Sequence, residues 1–183
     1  MTNYLVLTII ADDKPGLLEL LAQTVNDNGG NWLDGRMSHL AGKFAGILEL
    51  SVDPEHQATL TEALEAMTEQ GFKVVVEPAS ALDRPVCQEF NLSVAGLDRT
   101  GIVYEIAQAF ANRHINMSEL ETDYSSMPWS GEPLFEAKGV IEVPDSVDMD
   151  ELYEQLDTIA EELAVDIRLE SPEEEKTAAR AKA

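Results

Sequence analysis

Residues 13–18 read Asp13-Lys14-Pro15-Gly16-Leu17-Leu18, and 85 residues later the chain reads Asp98-Arg99-Thr100-Gly101-Ile102-Val103. The match continues without a gap into the following apolar residues and extends upstream into an alternating apolar segment. A repeat of this length is one domain duplicated, because solenoid units recur at periods of roughly 20–50 residues. The chain of 183 residues therefore predicts two related domains of roughly 80 residues each.

The first copy alternates between strand and helix patterns. Period-two alternation at Leu5–Ile9 predicts a strand, and the helical spacing of apolar residues over 17–25 predicts a helix. Two strands follow, joined at Ala41-Gly42-Lys43, and then a helix that opens at Pro54 and a last strand. The order β-α-β-β-α-β is ferredoxin-like. The predicted fold class is therefore α+β, with antiparallel sheets and helices on one face.

The second copy repeats this order. It predicts strands at 86–95, 116–124, 134–143 and 165–170, and helices at 101–113 and 149–163. The resulting domains are 1–78 and 86–170, separated by a linker at 79–85 and followed by a charged, Ala-rich tail at 171–183 that is expected to fray. The single cysteine, Cys87, falls in an apolar strand pattern and is predicted to be a small buried residue.

The charge of the chain limits its partners. Its 12 Lys and Arg against 35 Asp and Glu give a formal net charge of −23. No basic cluster of the kind that contacts a phosphate backbone is present, so direct binding to nucleic acid is not expected. The acidity also fits a need for solubility in a salty cytoplasm. With no leader pattern and no apolar run of about 18 residues, the sequence predicts a soluble cytoplasmic protein without a membrane partner.

The sequence offers little that would support catalysis. His39, His56 and His114 lie far apart without metal-ligand spacing, and neither a nucleophile elbow nor a Gly-rich phosphate loop is present. The carboxylates over 145–154 lack the EF-hand pattern and are interpreted as a solvated helix N-terminus. We therefore predict a protein that is not an enzyme and has no metal and no cofactor.

The duplicated strand-to-helix turn is the strongest candidate site. Asp13 and Asp98 occupy positions typical of helix N-caps, and a glycine, Gly16 or Gly101, follows three residues later. A glycine lets a ligand approach the backbone, and the amides of a helix N-terminus suit a carboxylate. A basic residue beside each aspartate adds positive charge. The competing interpretation is a capped turn with a tight glycine and no ligand.

An asparagine opens the second strand in each copy, Asn31 in the first and Asn116 in the second. In this fold the strand start lies near the sheet edge, where a side-chain amide is able to donate to and accept from a ligand. The alternative is an asparagine that ends a turn.

Two such units, each with a glycine at the first strand–helix turn, resemble tandem ACT domains, which are small amino-acid-sensing modules. The stretch Asn116-Met117-Ser118-Glu119-Leu120-Glu121-Thr122, followed by 127–135, is more specific. It resembles the second domain of the glycine cleavage system transcriptional repressor family. The resemblance covers residues 1–170.

The resemblance implies a regulator that represses transcription indirectly, by binding a protein activator such as one of the LysR type, in response to glycine or a similar small amino acid. In ACT domains the ligand lies between paired domains, held by the first turn of one and the second strand of its neighbour. Carried over here, the ligand-binding residues are Asp13, Gly16, Leu17, Asn31, Asp98, Gly101, Ile102 and Asn116.

Small domains gain by burying surface together, so a homo-oligomer, most simply a dimer, is expected. A free-standing allosteric subunit of an amino-acid metabolic enzyme is the alternative function. A small hydrolase or metal-dependent enzyme is a third and the least supported by the residues.

Overall fold

The structure, a computed structural model, describes residues 2–79, 86–127 and 130–171. The chain divides into two compact units, Met1–Leu82 and Asp83–Ala183. Of the predicted linker and tail, all but residues 79 and 171 lie outside the described residues.

The first unit contains a four-stranded antiparallel sheet in the order β2-β3-β1-β4. Its elements are β1 Asn3–Asp12, α1 Leu17–Asp27, β2 Gly30–Leu40, β3 Lys43–Val52, α2 Pro54–Ala66 with a 3₁₀ turn at Met67–Gln70, and β4 Lys73–Pro78. The predicted order of strands and helices is confirmed. β2 is an edge strand, as expected from the position of Asn31.

The second unit repeats the topology, with strand order β6-β7-β5-β8. Its elements are β5 Cys87–Leu97, α3 Ile102–Ala111, β6 Asn116–Ser126, β7 Pro133–Pro144, α4 Met149–Leu163 and β8 Val165–Glu170. The carboxylate of Asp148 accepts hydrogen bonds from the amides of Asp150 and Glu151 at the start of α4. Part of the acidic run therefore caps a helix, as the sequence indicated.

Each unit has its own core between one sheet face and two helices. In β1 every second residue is buried from Leu5 to Ala11, and these side chains meet the apolar stripes of α1 and α2. The second core is built in the same way around Leu92, Ile106 and Phe110. Alternation along the strands and helical spacing along the helices thus bury the same side of both sheets.

A β-bulge occurs at the same place in both units, after Trp32 in β2 and after Met117 in β6. In the first unit Gly35 of β2 then pairs with Leu48 of β3. In the second unit the residue types are exchanged, because Leu120 of β6 pairs with Gly139 of β7. Each bulge is thus followed by one leucine and one glycine, on opposite strands. We call these the Gly–Leu pairs.

Cys87 is a free cysteine at the start of β5 and is only half-buried, so the prediction of a small buried residue was wrong. It is separated by an odd number of residues from the buried Leu92 and Val94, so its side chain lies on the opposite face of the strand. None of the helices in the described residues has the length and apolar content that a membrane crossing requires.

Candidate functional site

The two candidate turns connect β1 to α1 and β5 to α3. The backbone N–H of Asp13 donates to the carbonyl of Gly42 at 2.9 Å, in the loop between β2 and β3. In the second unit the N–H of Asp98 donates to the carbonyl of Pro133 at 3.0 Å. Each turn is therefore fixed to the hairpin at the same end of its sheet.

The prediction that Asp13 and Asp98 cap the helices was wrong. The helices begin at residues 17 and 102, and the N-cap positions are held by Gly16 and Gly101 without a side-chain hydrogen bond. These glycines have φ values of 91° and 107°, in the left-handed region that glycine adopts at no steric cost. Because the helix begins only after the glycine, the aspartate remains in the preceding loop. Pro15 also precedes the first helical turn.

The start of each helix presents backbone donors. The N–H of Leu20 donates to the carbonyl of Gly16 at 3.0 Å, and the N–H of Glu105 donates to that of Gly101 at 2.9 Å. The three amides that precede each of these bonds have no acceptor within the helix. A Cβ built on Gly16 or Gly101 meets no atom within 4 Å, so the space above both turns is open. Such a helix start suits a carboxylate.

Basic side chains near both turns form hydrogen bonds within their own units. The Arg99 guanidinium donates to the carbonyl of Glu162 at 3.3 Å, at the C-terminal end of α4. In the first unit Lys43 donates to the carboxylate of Asp12, at the end of β1. This hydrogen bond and the charge of Lys43, with a smaller contribution from Lys14, hold the pKa of Asp12 below its usual range.

We predict that Lys43→Met raises the pKa of Asp12 toward its ordinary value. A depressed pKa contributes stability above the unfolded-state pKa of about 3.9, and this contribution is lost as the pH falls through the folded-state value. The pKa of Asp34 is also low, because its carboxylate accepts from the Gly35 N–H and from Arg36. An NMR titration of the side-chain carboxyl carbons of Asp12 and Asp34 tests the prediction. Asp34 is the internal control, and its pKa should not change.

Asn31 and Asn116 do not lie beside the turns of their own units. Asn31 pairs with Ser51, which pairs with Tyr4 at the start of β1. Asp12 is eight residues further along β1, so the asparagine and the turn are about 27 Å apart at 3.3–3.4 Å per residue. Asn116 has the corresponding position and donates to Glu142 at 2.9 Å. One unit therefore cannot bring its own asparagine to its own turn.

An apolar crevice in the second unit was not anticipated from the sequence. It lies between α3 and the sheet, opens to solvent, has an internal volume of only about 10 Å³, and is lined by residues such as Ile102, Val103, Met117 and Leu120. No polar side chain lines it, so it suits an apolar group. Only Ile102 of this lining was predicted, because a sequence pattern does not show where packing leaves a gap.

The first unit differs at the same place. Trp32 takes the position of Met117, and Gly35 takes that of Leu120. A Cβ on Gly35 would lie 3.4 Å from the Trp32 indole, which shows that the ring packs over this glycine. The two candidate sites are therefore chemically different, in agreement with the replacement of Pro15 by Thr100 in the turns.

The described residues contain no group of three or more His, Cys, Asp or Glu side chains placed to hold a metal ion. His39 lies on β2, His56 on α2 and His114 after α3. The helix starts, and not a cluster of metal-ligating side chains, are the chemically distinctive feature of each unit.

Comparison with known proteins agrees with the fold. An ACT domain family model matches residues 3–77. An unknown protein from Galdieria sulphuraria is 28% identical, with a TM-score of 0.80 over 93% of this chain and 99% of that one. A protein with the provisional name of glycine cleavage system transcriptional repressor is 22% identical, with a TM-score of 0.65 over 92% of this chain and 96% of that one. A search of curated proteins finds no match.

ACT domains are regulatory modules that bind amino acids. The match to the family lies in the first unit, and the second unit has the same strand order, the same bulge and the same glycine at its first turn. The repeat in the sequence corresponds to two units of the same fold. Residues 3–77 therefore match the ACT domain family, and the chain has two domains of this fold in tandem.

Proposed function

We propose that this protein senses glycine or a similar small amino acid and represses transcription indirectly, by binding a protein activator. The observation that carries the proposal is the helix start at Gly16 and Gly101, open to solvent and without a side-chain cap in both units. The fold shared with the glycine cleavage system transcriptional repressor adds to it.

The chemistry of the turn matches both ends of an amino acid. The carboxylate of the ligand accepts hydrogen bonds from the amides that follow Gly16 or Gly101, at the positive end of the helix. Because Asp13 and Asp98 do not cap the helices, their exposed carboxylates remain able to accept from the ligand's ammonium group. Leu17 and Ile102 supply the first amide of each helix.

The size of the ligand side chain distinguishes the two units. Glycine needs no side-chain pocket, and the crevice beside Ile102 has room for no more than a methyl-sized apolar group. The Trp32 indole occupies the corresponding place in the first unit. The proposal therefore assigns glycine to the first turn and admits at most one additional methyl group on the ligand at the second.

A calorimetric titration with each of the twenty amino acids tests the proposal. We expect binding of glycine or another small amino acid, and no binding of its amide, which lacks the carboxylate. If no amino acid produces heat or shifts the melting temperature, the sensing role is wrong. Binding of the amide equal to that of the acid would place the ligand away from the helix starts.

We predict that the isolated protein does not retard any promoter fragment at physiological salt. A chain of net charge −23 lacks the clustered basic side chains that replace counterions on DNA. An electrophoretic mobility shift assay checks this, with a candidate activator alone and with both proteins together. Salt-dependent binding by this chain alone, in the micromolar range, would contradict indirect repression.

A further inference from the structure

The sheet of the first unit has one face covered by its helices and one face that they leave open. Directly paired residues point to the same side of an antiparallel sheet. The register therefore puts Thr8 of β1 on the open face between Ile47 of β3 and Val75 of β4. Ile47 is 51% exposed and Val75 is 55% exposed. Val6 and Ile10 extend this apolar centre along β1.

The same positions in the second unit carry charge. The counterpart of Thr8 is Ser93, which pairs with Lys138 and Arg168. The open face of the second unit has two basic side chains and eight carboxylates, namely Glu89, Glu119, Glu121, Asp123, Glu136, Glu142, Asp166 and Glu170. The open face of the second unit is therefore acidic, whereas that of the first unit has an apolar centre.

The open face of the first unit is nearly balanced in charge. It has four carboxylates and three basic groups, namely Asp12, Asp34, Glu49, Glu77, Arg36, Lys43 and Lys73. The whole chain has a net charge of −23, so two copies repel one another in most orientations. Repulsion is much weaker where two nearly neutral faces meet.

The arrangement of charge on this face is also self-complementary. Glu77 and Lys73 lie on β4 on either side of Val75. A two-fold axis along the row that contains Thr8 and Val75 brings Glu77 of each copy opposite Lys73 of the other. An isologous interface of this kind joins the same patch on both copies.

We propose that the open face of the first unit is the surface on which two copies of this chain associate, sheet against sheet. Four strands about 4.8 Å apart give each face an area of roughly 500 Å², so the pair buries about 1,000 Å², which is the lower limit for a specific interface. The dimer is therefore reversible, and it does not depend on the turns at Gly16 and Gly101.

Sedimentation velocity of the full chain tests the proposal, at concentrations up to about 100 µM. The substitutions Ile47→Lys and Val75→Arg together introduce the residues that the second unit already has at these exposed positions, so folding should be retained. We expect the dissociation constant of the dimer to rise at least about tenfold. Tyr104→Lys changes an equally exposed residue on α3 and is expected to leave it unchanged.

A charge exchange tests the geometry independently. Glu77→Lys and Lys73→Glu should each weaken the dimer, and the double variant should restore it, because opposite charges again face each other. A wild-type monomer at the highest concentration would overturn the proposal. So would a dimer that tolerates Ile47→Lys and Val75→Arg, or one that Tyr104→Lys disrupts. A double variant as weak as the single ones would reject the two-fold arrangement.

Discussion

Gly139→Ala is expected to destabilise the second unit by about 3 kcal/mol, at the upper end of the cost of overpacking. A Cβ on this residue would lie 2.6 Å from the backbone carbonyl oxygen of Glu119, in the bulged strand β6. Neither group is the end of a flexible side chain, so the strands themselves must separate. For a domain of this size the melting temperature should fall by roughly 12 °C or more.

The matched control is Gly35→Ala, in the other Gly–Leu pair. Its Cβ would have its nearest contacts at 3.4 Å, which is an ordinary van der Waals distance. We expect the free energy of unfolding to change by less than about 1 kcal/mol. Calorimetry with hydrogen exchange of peptides from each unit separates the two effects. Equal losses of stability in the two variants would show that the close approach between Gly139 and the Glu119 carbonyl is not important for stability.

Gly16→Asn and Gly101→Asn together are expected to weaken amino-acid binding by roughly tenfold to a hundredfold at each turn. Each lost charge-assisted hydrogen bond between the ligand carboxylate and a helix amide costs about 1.5–3 kcal/mol. The left-handed φ at both glycines makes valine unsuitable for this test, because it would add backbone strain to the steric block. Asparagine tolerates this conformation and still fills the open space above the amides.

Gly71→Asn is the matched control for strain. Gly71 has a φ of 94°, a Cβ on it meets no atom within 4 Å, and it ends the 3₁₀ turn before β4. Each of the three substitutions should cost a similar amount of stability, while only those at the turns should lower the ligand affinity in calorimetric titrations. Unchanged affinity in the Gly16→Asn and Gly101→Asn double variant would show that the ligand binds elsewhere.

The sequence predicted the fold well because the repeat and the periodicity of apolar residues are independent signals of one arrangement. The helix spacing after Gly16 and the alternation before it define both β1 and α1. The N-caps were mispredicted because an aspartate near a helix start is a common cap, and only the left-handed glycine shows that the chain turns later.

The candidate site was predictable only in part. The glycines and the helix amides follow from the repeat, but the distance from Asn31 to its own turn depends on strand register. Register and the crevice beside Met117 result from packing, which local patterns do not determine. The contrast between the two open faces likewise became visible only when the ladders aligned Ile47 with Lys138.

The Gly–Leu pairs have a consequence for how a duplicated chain avoids misfolding. Tandem domains of similar sequence are prone to exchange strands while they fold. If β2 paired with β7, Gly35 would face Gly139 and would lack the leucine with which it pairs in its own unit. If β6 paired with β3, Leu120 would face Leu48 and crowd the sheet. Each wrong hairpin would pair two small or two large residues. The exchange of glycine and leucine between the units therefore favours pairing of each strand with its partner in the same unit.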